Sequence, residues 1–166
     1  MNRLVVLSGV PGSGKSYFSK TLKTKRYTHL YIISSDQLRA LILHNQQNLS
    51  EDALIWKIFY GLAKTFSVDH NGLVILDATH TLKKYRYANV KQFRKLYDEI
   101  DLIVFNIDKQ TVLEQNMRRP HPIPEDKLLG IIDSFEDPDE EEQAFFDHIY
   151  YVTGHDVQEI IKNYID

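Results

Sequence analysis

Short apolar runs rich in Val, Ile, Leu and Tyr alternate along this chain with longer segments of helical period, the pattern of a parallel sheet wrapped by helices. Leu4 to Leu7, Leu30 to Ile33, Leu73 to Leu76, Leu102 to Phe105 and Ile149 to Val152 predict five buried strands, with Gly, Ser or Asp at their carboxyl ends. Leu54, Ile58, Leu62 and Phe66, joined by Ile55 and Phe59, recur on one face of a long helix, and Ser50, just before Glu51 and Asp52, predicts its start. Val157, Ile160, Ile161 and Tyr164 mark a last helix in the same way. Both stripes read as core. The fold class expected is α/β, a single domain over residues 1–166.

The segment Arg118 to Glu125 breaks the pattern with three prolines, Pro120, Pro122 and Pro124. It predicts a short lid over about residues 116–125, or else a rigid turn between two helices. Ile123-Pro124-Glu125 is the expected start of the next helix, with Leu128, Leu129 and Ile132 facing the core.

Composition changes this picture mainly by exclusion. With 43% hydrophobic and 26% charged residues, the 166-residue chain has the profile of an ordinary globular protein. Cysteine is absent, which removes disulfides, thiol catalysis and Cys-ligated metals and fits a reducing, cytoplasmic setting. The first apolar run is too short for a signal peptide's core or a membrane span, so no membrane partner is expected. A net charge of −3 argues against coating nucleic acid along its length, though a strand's end remains open. Basic runs at Lys20 to Arg26, Lys83 to Arg94 and Arg118 to Arg119, and the acidic run Glu136 to Glu142, read as solvated faces.

Gly9-Val10-Pro11-Gly12-Ser13-Gly14-Lys15-Ser16 matches G-x-x-x-x-G-K-[ST], and it follows a strand and precedes the helical pattern Tyr17, Phe18, Leu22. The glycines let successive backbone N–H groups face phosphate oxygens at a helix's positive end. Lys15 supplies a point charge for the β and γ phosphates, and the Ser16 hydroxyl suits magnesium. A nucleoside triphosphate, ATP or another, with Mg2+ is therefore the expected ligand on a P-loop NTPase fold. The guanine-specific N-K-x-D element is missing, since Asn106-Ile107-Asp108-Lys109 has the wrong order. The chain is also too short for the helical domain that ring-forming ATPases append, which leaves a small P-loop kinase.

Ligands of open parallel sheets sit outside the carboxyl ends of the strands. Three runs reach that edge: Ser34-Ser35-Asp36-Gln37-Leu38-Arg39, Asp77-Ala78-Thr79-His80 and Asn106-Ile107-Asp108. Asp36 fits a base for an acceptor hydroxyl, or a helix N-cap. Arg39, one turn on, fits a cation beside the transferring phosphate. Asp77 fits a magnesium-orienting carboxylate, or a cap. Thr79 and His80 could touch the acceptor, with His80 read as a satisfied histidine rather than the base.

Taken in order, GVPGSGKS, SSDQLR, LVILDATHT with the basic KKYRYANVKQFRKLY, NMRRPHPIPEDKL and FEDP resemble the polynucleotide-kinase-like small P-loop kinases, the family of the phage 5′-polynucleotide kinase domain. The resemblance implies that Asp36 activates a 5′-hydroxyl, that Arg39 is its partner and that Arg118 is the lid arginine on the donor's phosphates. Glu114 stands where the family often has another lid cation, and Arg119 is a possible substitute. The expected activity is transfer of the γ-phosphoryl group of ATP to the 5′-hydroxyl of a DNA or RNA end. The alternatives are a small hydroxyl acceptor (nucleoside, nucleotide or sugar), a modified base in DNA, and a nucleotide-binding regulator without transfer.

Overall fold

A computed structural model describes residues 1–165. In chain order its elements are β1 (Arg3–Ser8), α1 (Lys15–Thr21), β2 (His29–Ser34), α2 (Ser35–Leu43), α3 (Asp52–Phe66), β3 (Gly72–Asp77), α4 (Lys83–Phe93), β4 (Glu99–Phe105), α5 (Lys109–Met117), α6 (Glu125–Asp133), α7 (Glu140–Gln143), β5 (His148–Val152) and α8 (Val157–Ile165). The strands form one sheet in the order β2-β3-β1-β4-β5, and every pair is parallel. All five expected strands are present. β4 starts three residues earlier than its apolar run suggests, because the polar Glu99 and Asp101 are paired with Arg3, and Asp101 also accepts from the Tyr164 hydroxyl.

Alternation along the strands loads both faces of the sheet. Leu4 and Val6 of β1 pack with Phe59, Ala63, Val90 and Phe93 of α3 and α4, while Val5 and Leu7 pack with Phe18, Ile160, Ile161 and Tyr164 of α1 and α8. The stripe of α3 is rotated from its expected position: Ile55, Phe59 and Ala63 are fully buried, whereas Leu54 is 45% exposed. Ser50 does not begin this helix; Glu51 is the N-cap residue, and Ser50 N–H donates to Asn48 Oδ1 in the preceding turn. In α6, Leu128 is buried with Ile131 and Ile132 beside it, so Ile131 takes the core role expected of Leu129. Among the described residues, no helix is long and apolar enough to cross a membrane.

The charge runs on α4 and before β5 are largely exposed, as expected, but part of each pairs with the other. Arg86 is fully buried and forms a two-pronged pair with the equally buried Glu142, at 2.7 and 2.9 Å, while its Nη2 donates to the Glu136 carbonyl. Lys83 reaches Asp139 and Glu141. The basic helix and the acidic run thus neutralise each other. Because Arg86 Nη1 also donates to the His80 carbonyl, this buried pair braces the carboxyl edge of the sheet from behind.

Candidate active site

The P-loop spans the gap between β1 and α1, and its shape rests on its glycines. Gly12 and Gly14 take φ of +79° and +99°, where a side chain is strained. A Cβ on Gly9 would lie 2.6 Å from Ser13 Oγ and 2.9 Å from Phe105 Cβ, so this position admits only hydrogen. Gly9 N–H donates to the Thr79 carbonyl at 2.8 Å, which ties the loop to the end of β3. Gly14 then stands as the N-cap residue of α1, so the free N–H groups of the first turn open onto the loop.

Lys15 is buried, and its Nζ donates to the Val10 carbonyl at 2.9 Å. Burial lowers its pKa to about 8; Asp77 and Asp36 oppose that shift, and the Arg119 charge adds to it. Ser16 Oγ donates to Asp77 Oδ2 at 3.0 Å. Burial raises the Asp77 carboxyl against the pull of Lys15 and Ser16. A hydroxyl and a carboxylate at this distance are a pair of hard oxygen donors, which fits magnesium.

At the end of β2 the capping question resolves. Ser34 is the N-cap of α2 and accepts from Gln37 N–H at 3.3 Å, so Asp36 is released from that duty. Asp36 sits in the first turn, and its Oδ1 accepts from Arg39 Nη1 at 3.3 Å. Both line the same cavity as Lys15, Ser16 and Asp77, a cleft of about 880 Å3. Pro11, Gly12, Gly14 and Thr79 also line it, whereas Gly9 and Ser13 shape the loop from beneath.

The lid side differs from expectation. Arg118 is the exposed C-cap of α5 and does not line the cleft; Arg119, half-buried one residue on, does. The turn that follows is braced, since Asn116 Nδ2 donates to the Ile123 carbonyl at 2.8 Å and Ile123 N–H donates back to Asn116 Oδ1 at 2.9 Å. That closure turns the chain after the helix end, so the second arginine of the pair, and not the first, faces inward. Lys127 of α6 adds a further cation to this wall. Single-turnover rates should accordingly separate the pair. Arg119→Ala is expected to slow transfer by roughly 10- to 100-fold and Arg118→Ala by less than about three-fold. The reverse ranking restores Arg118 as the lid cation.

His80 does not line the cleft. Its ring is buried, Nδ1 lies 2.7 Å from the Leu7 carbonyl, and burial lowers its pKa to about 4. It is neutral in the folded protein. Because the unfolded chain takes up this proton below about pH 6.5 and the folded chain does not, stability is lost as pH falls from about 6.5 to 4, by on the order of 3 kcal/mol. His80→Asn keeps a donor near the Nδ1 position and tolerates the residue's φ of +42°. Its urea midpoint should fall less between pH 7 and pH 4 than that of the parent; parallel curves would place the acid sensitivity elsewhere.

Two features of the cleft have no counterpart in the sequence motifs. Gln47, between α2 and α3, donates through Nε2 to the His121 carbonyl at 3.0 Å, bridging the acceptor side to the lid turn. Asp52 and Trp56 of α3 pack behind Arg39. Gln47 carried no motif signal, and Asp52 looked like an ordinary acid at a helix start.

Comparison with known proteins agrees with this architecture. Residues 4–138 match the family described as an AAA domain. Among solved structures, Kti12 of Chaetomium thermophilum in complex with ADP-AlF3 has a TM-score of 0.72 at 16% identity, covering 96% of each chain. The Mycobacterium tuberculosis APS kinase CysC, in complex with AMPPNP and APS, has a TM-score of 0.66 at 18% identity, covering 97% of this chain and 96% of its own. A chain of the Pnkp1/Rnl/Hen1 RNA repair complex has a TM-score of 0.67 at 20% identity, with 80% of this chain covering 43% of that one. At such identities these likenesses carry the fold, the five-stranded parallel P-loop NTPase sheet flanked by helices.

Proposed function

We propose that this chain, which belongs to the AAA domain family over residues 4–138, is an ATP-dependent kinase that transfers the γ-phosphoryl group to a hydroxyl, the 5′-hydroxyl of a DNA or RNA end. One observation carries the reading. Asp36, freed from capping, shares a cleft with the P-loop cation Lys15 and with the Ser16–Asp77 pair. A nucleotide sensor needs the second group but has no use for an acceptor base beside it.

In this reading the P-loop N–H groups and Lys15 hold the β and γ phosphates, and the acceptor hydroxyl enters beside Asp36. The acceptor oxygen bonds to the γ phosphorus, the bond from that phosphorus to the bridging oxygen breaks, and ADP leaves. The hydroxyl proton passes to the Asp36 carboxylate. Arg119 faces the charge that spreads over the transferring group, and Arg39 holds the Asp36 carboxylate in place. Ser16 and Asp77 would hold magnesium, which neutralises phosphate charge when bound.

A second reading, a small hydroxyl acceptor such as a nucleoside or sugar, is favoured by the Gln47–His121 hydrogen bond, which joins two residues that line the cleft. Fold does not choose between them, because one fold hosts many acceptors. Incubating the protein with γ-labelled ATP alone, with 5′-hydroxyl oligonucleotides of DNA and RNA, and with a nucleoside and sugar panel makes the choice. Label on oligonucleotide ends supports the first reading, and label on small molecules only supports the second. Label on no acceptor sinks both.

A further inference from the structure

Asp52, the first residue of α3, has both carboxylate oxygens committed to the acceptor wall. Oδ1 accepts from Arg39 Nη2 at 2.6 Å, and Oδ2 accepts from the Trp56 indole N–H at 3.0 Å. The bond from Arg39 to Asp36 is longer, at 3.3 Å. The guanidinium carbon of Arg39 lies 5.7 Å from the Trp56 ring centroid, and that ring packs against Phe59 and Tyr60. Arg39 is only 7% exposed, so α3 holds it from two directions. Its Nε–H is buried and, among the described residues, has no partner. A buried donor left unpaired on a cavity wall is a place for an oxygen of a ligand.

Resting on the kinase reading, we infer that Asp52 sets the position of Arg39 and makes the acceptor wall select a hydroxyl over a phosphate. Two carboxylates face one guanidinium, so the cluster carries one negative charge in excess. The same cleft is lined by the cations Lys15, Arg119 and Lys127. A free arginine fork suits a phosphate in two-pronged fashion, but Asp52 takes an N–H of Nη2 and Asp36 one of Nη1, which leaves the unpaired Nε–H as a single donor for a neutral oxygen. An acceptor hydroxyl approaches Asp36 without repulsion. The phosphate ester formed there meets the excess negative charge, which favours its release.

Asp52→Asn tests this, because it keeps the side chain's shape and removes its charge. The probes are a 5′-hydroxyl oligonucleotide and its 5′-phosphorylated form, with a nucleoside and its 5′-monophosphate as a second pair, titrated onto the full chain in the presence of ADP. Asp52 is partly solvent-screened, at 43% exposure, so loss of its charge should shift the phosphate-to-hydroxyl affinity ratio toward phosphate by about three-fold. In parallel, the Arg39 Nε–H and Trp56 indole resonances should move, and Asp52→Glu should restore part of the ratio. A merely structural role would weaken both members of each pair equally. An unchanged ratio, or an unmoved Arg39 resonance, overturns the assignment. A parent chain that transfers phosphate to no acceptor defeats the kinase reading instead, while the resonances and ratios still judge Asp52.

Discussion

Lys15→Ala is expected to lower phosphoryl transfer by about three orders of magnitude or more and to leave the fold intact. Charge accumulates on the β and γ phosphates as the bond between them breaks, and a preorganised cation in a water-poor site stabilises it far more than solvent does. In the proposed reaction Lys15 is that cation, and its bond to the Val10 carbonyl anchors it within the loop. Its lowered pKa bears on stability as well: burial disfavours the charged form in the folded chain, so deleting the charge removes a cost. The melting temperature of the variant should equal or exceed that of the parent. Steady-state turnover at saturating ATP, read beside a thermal melt, checks both halves. Near-normal turnover would remove Lys15 from the chemistry, and with it the P-loop's assigned role.

Asp36→Asn is expected to lower kcat by roughly two to four orders of magnitude, the usual range for loss of a general base. The amide retains an oxygen for Arg39, so the 3.3 Å contact can persist, but it cannot take the hydroxyl's proton. Since Ser34 caps α2, the substitution should change stability by less than about 0.5 kcal/mol, as for an ordinary surface position. The affinity for ATP should stay within about two-fold, because in the proposed reaction the donor is held by the P-loop. Measured together, kcat, ATP affinity and the urea midpoint distinguish a base from a structural carboxylate. Intact turnover with a lowered midpoint would identify Asp36 as structural.

Periodicity and spacing made the strands and the donor site legible because both depend on neighbours in sequence. Parallel strands buried on two faces must be apolar throughout, so their runs stand out. A loop that wraps phosphate with backbone N–H groups needs glycines at set intervals, and G-V-P-G-S-G-K-S states them outright. The strand-end carboxylates Asp36 and Asp77 could likewise be placed on one edge, since a parallel sheet puts all its carboxyl ends together. What neighbours do not determine is which partner a polar side chain finds across the fold. Ser34 and not Asp36 caps α2, and Arg119 and not Arg118 lines the cleft, by differences of one or two residues that depend on how a turn closes. Arg86 and Glu142, 56 positions apart, meet in the interior, where a charge can remain only if its counterpart arrives with it. Arg39 and Asp52 meet the same way at the acceptor wall. The sequence by itself thus determined the sheet, the triphosphate loop and the edge where chemistry can occur. Tertiary structure alone decided how the charges on that edge are shared, because pairing energy depends on distance in space and hardly at all on distance along the chain.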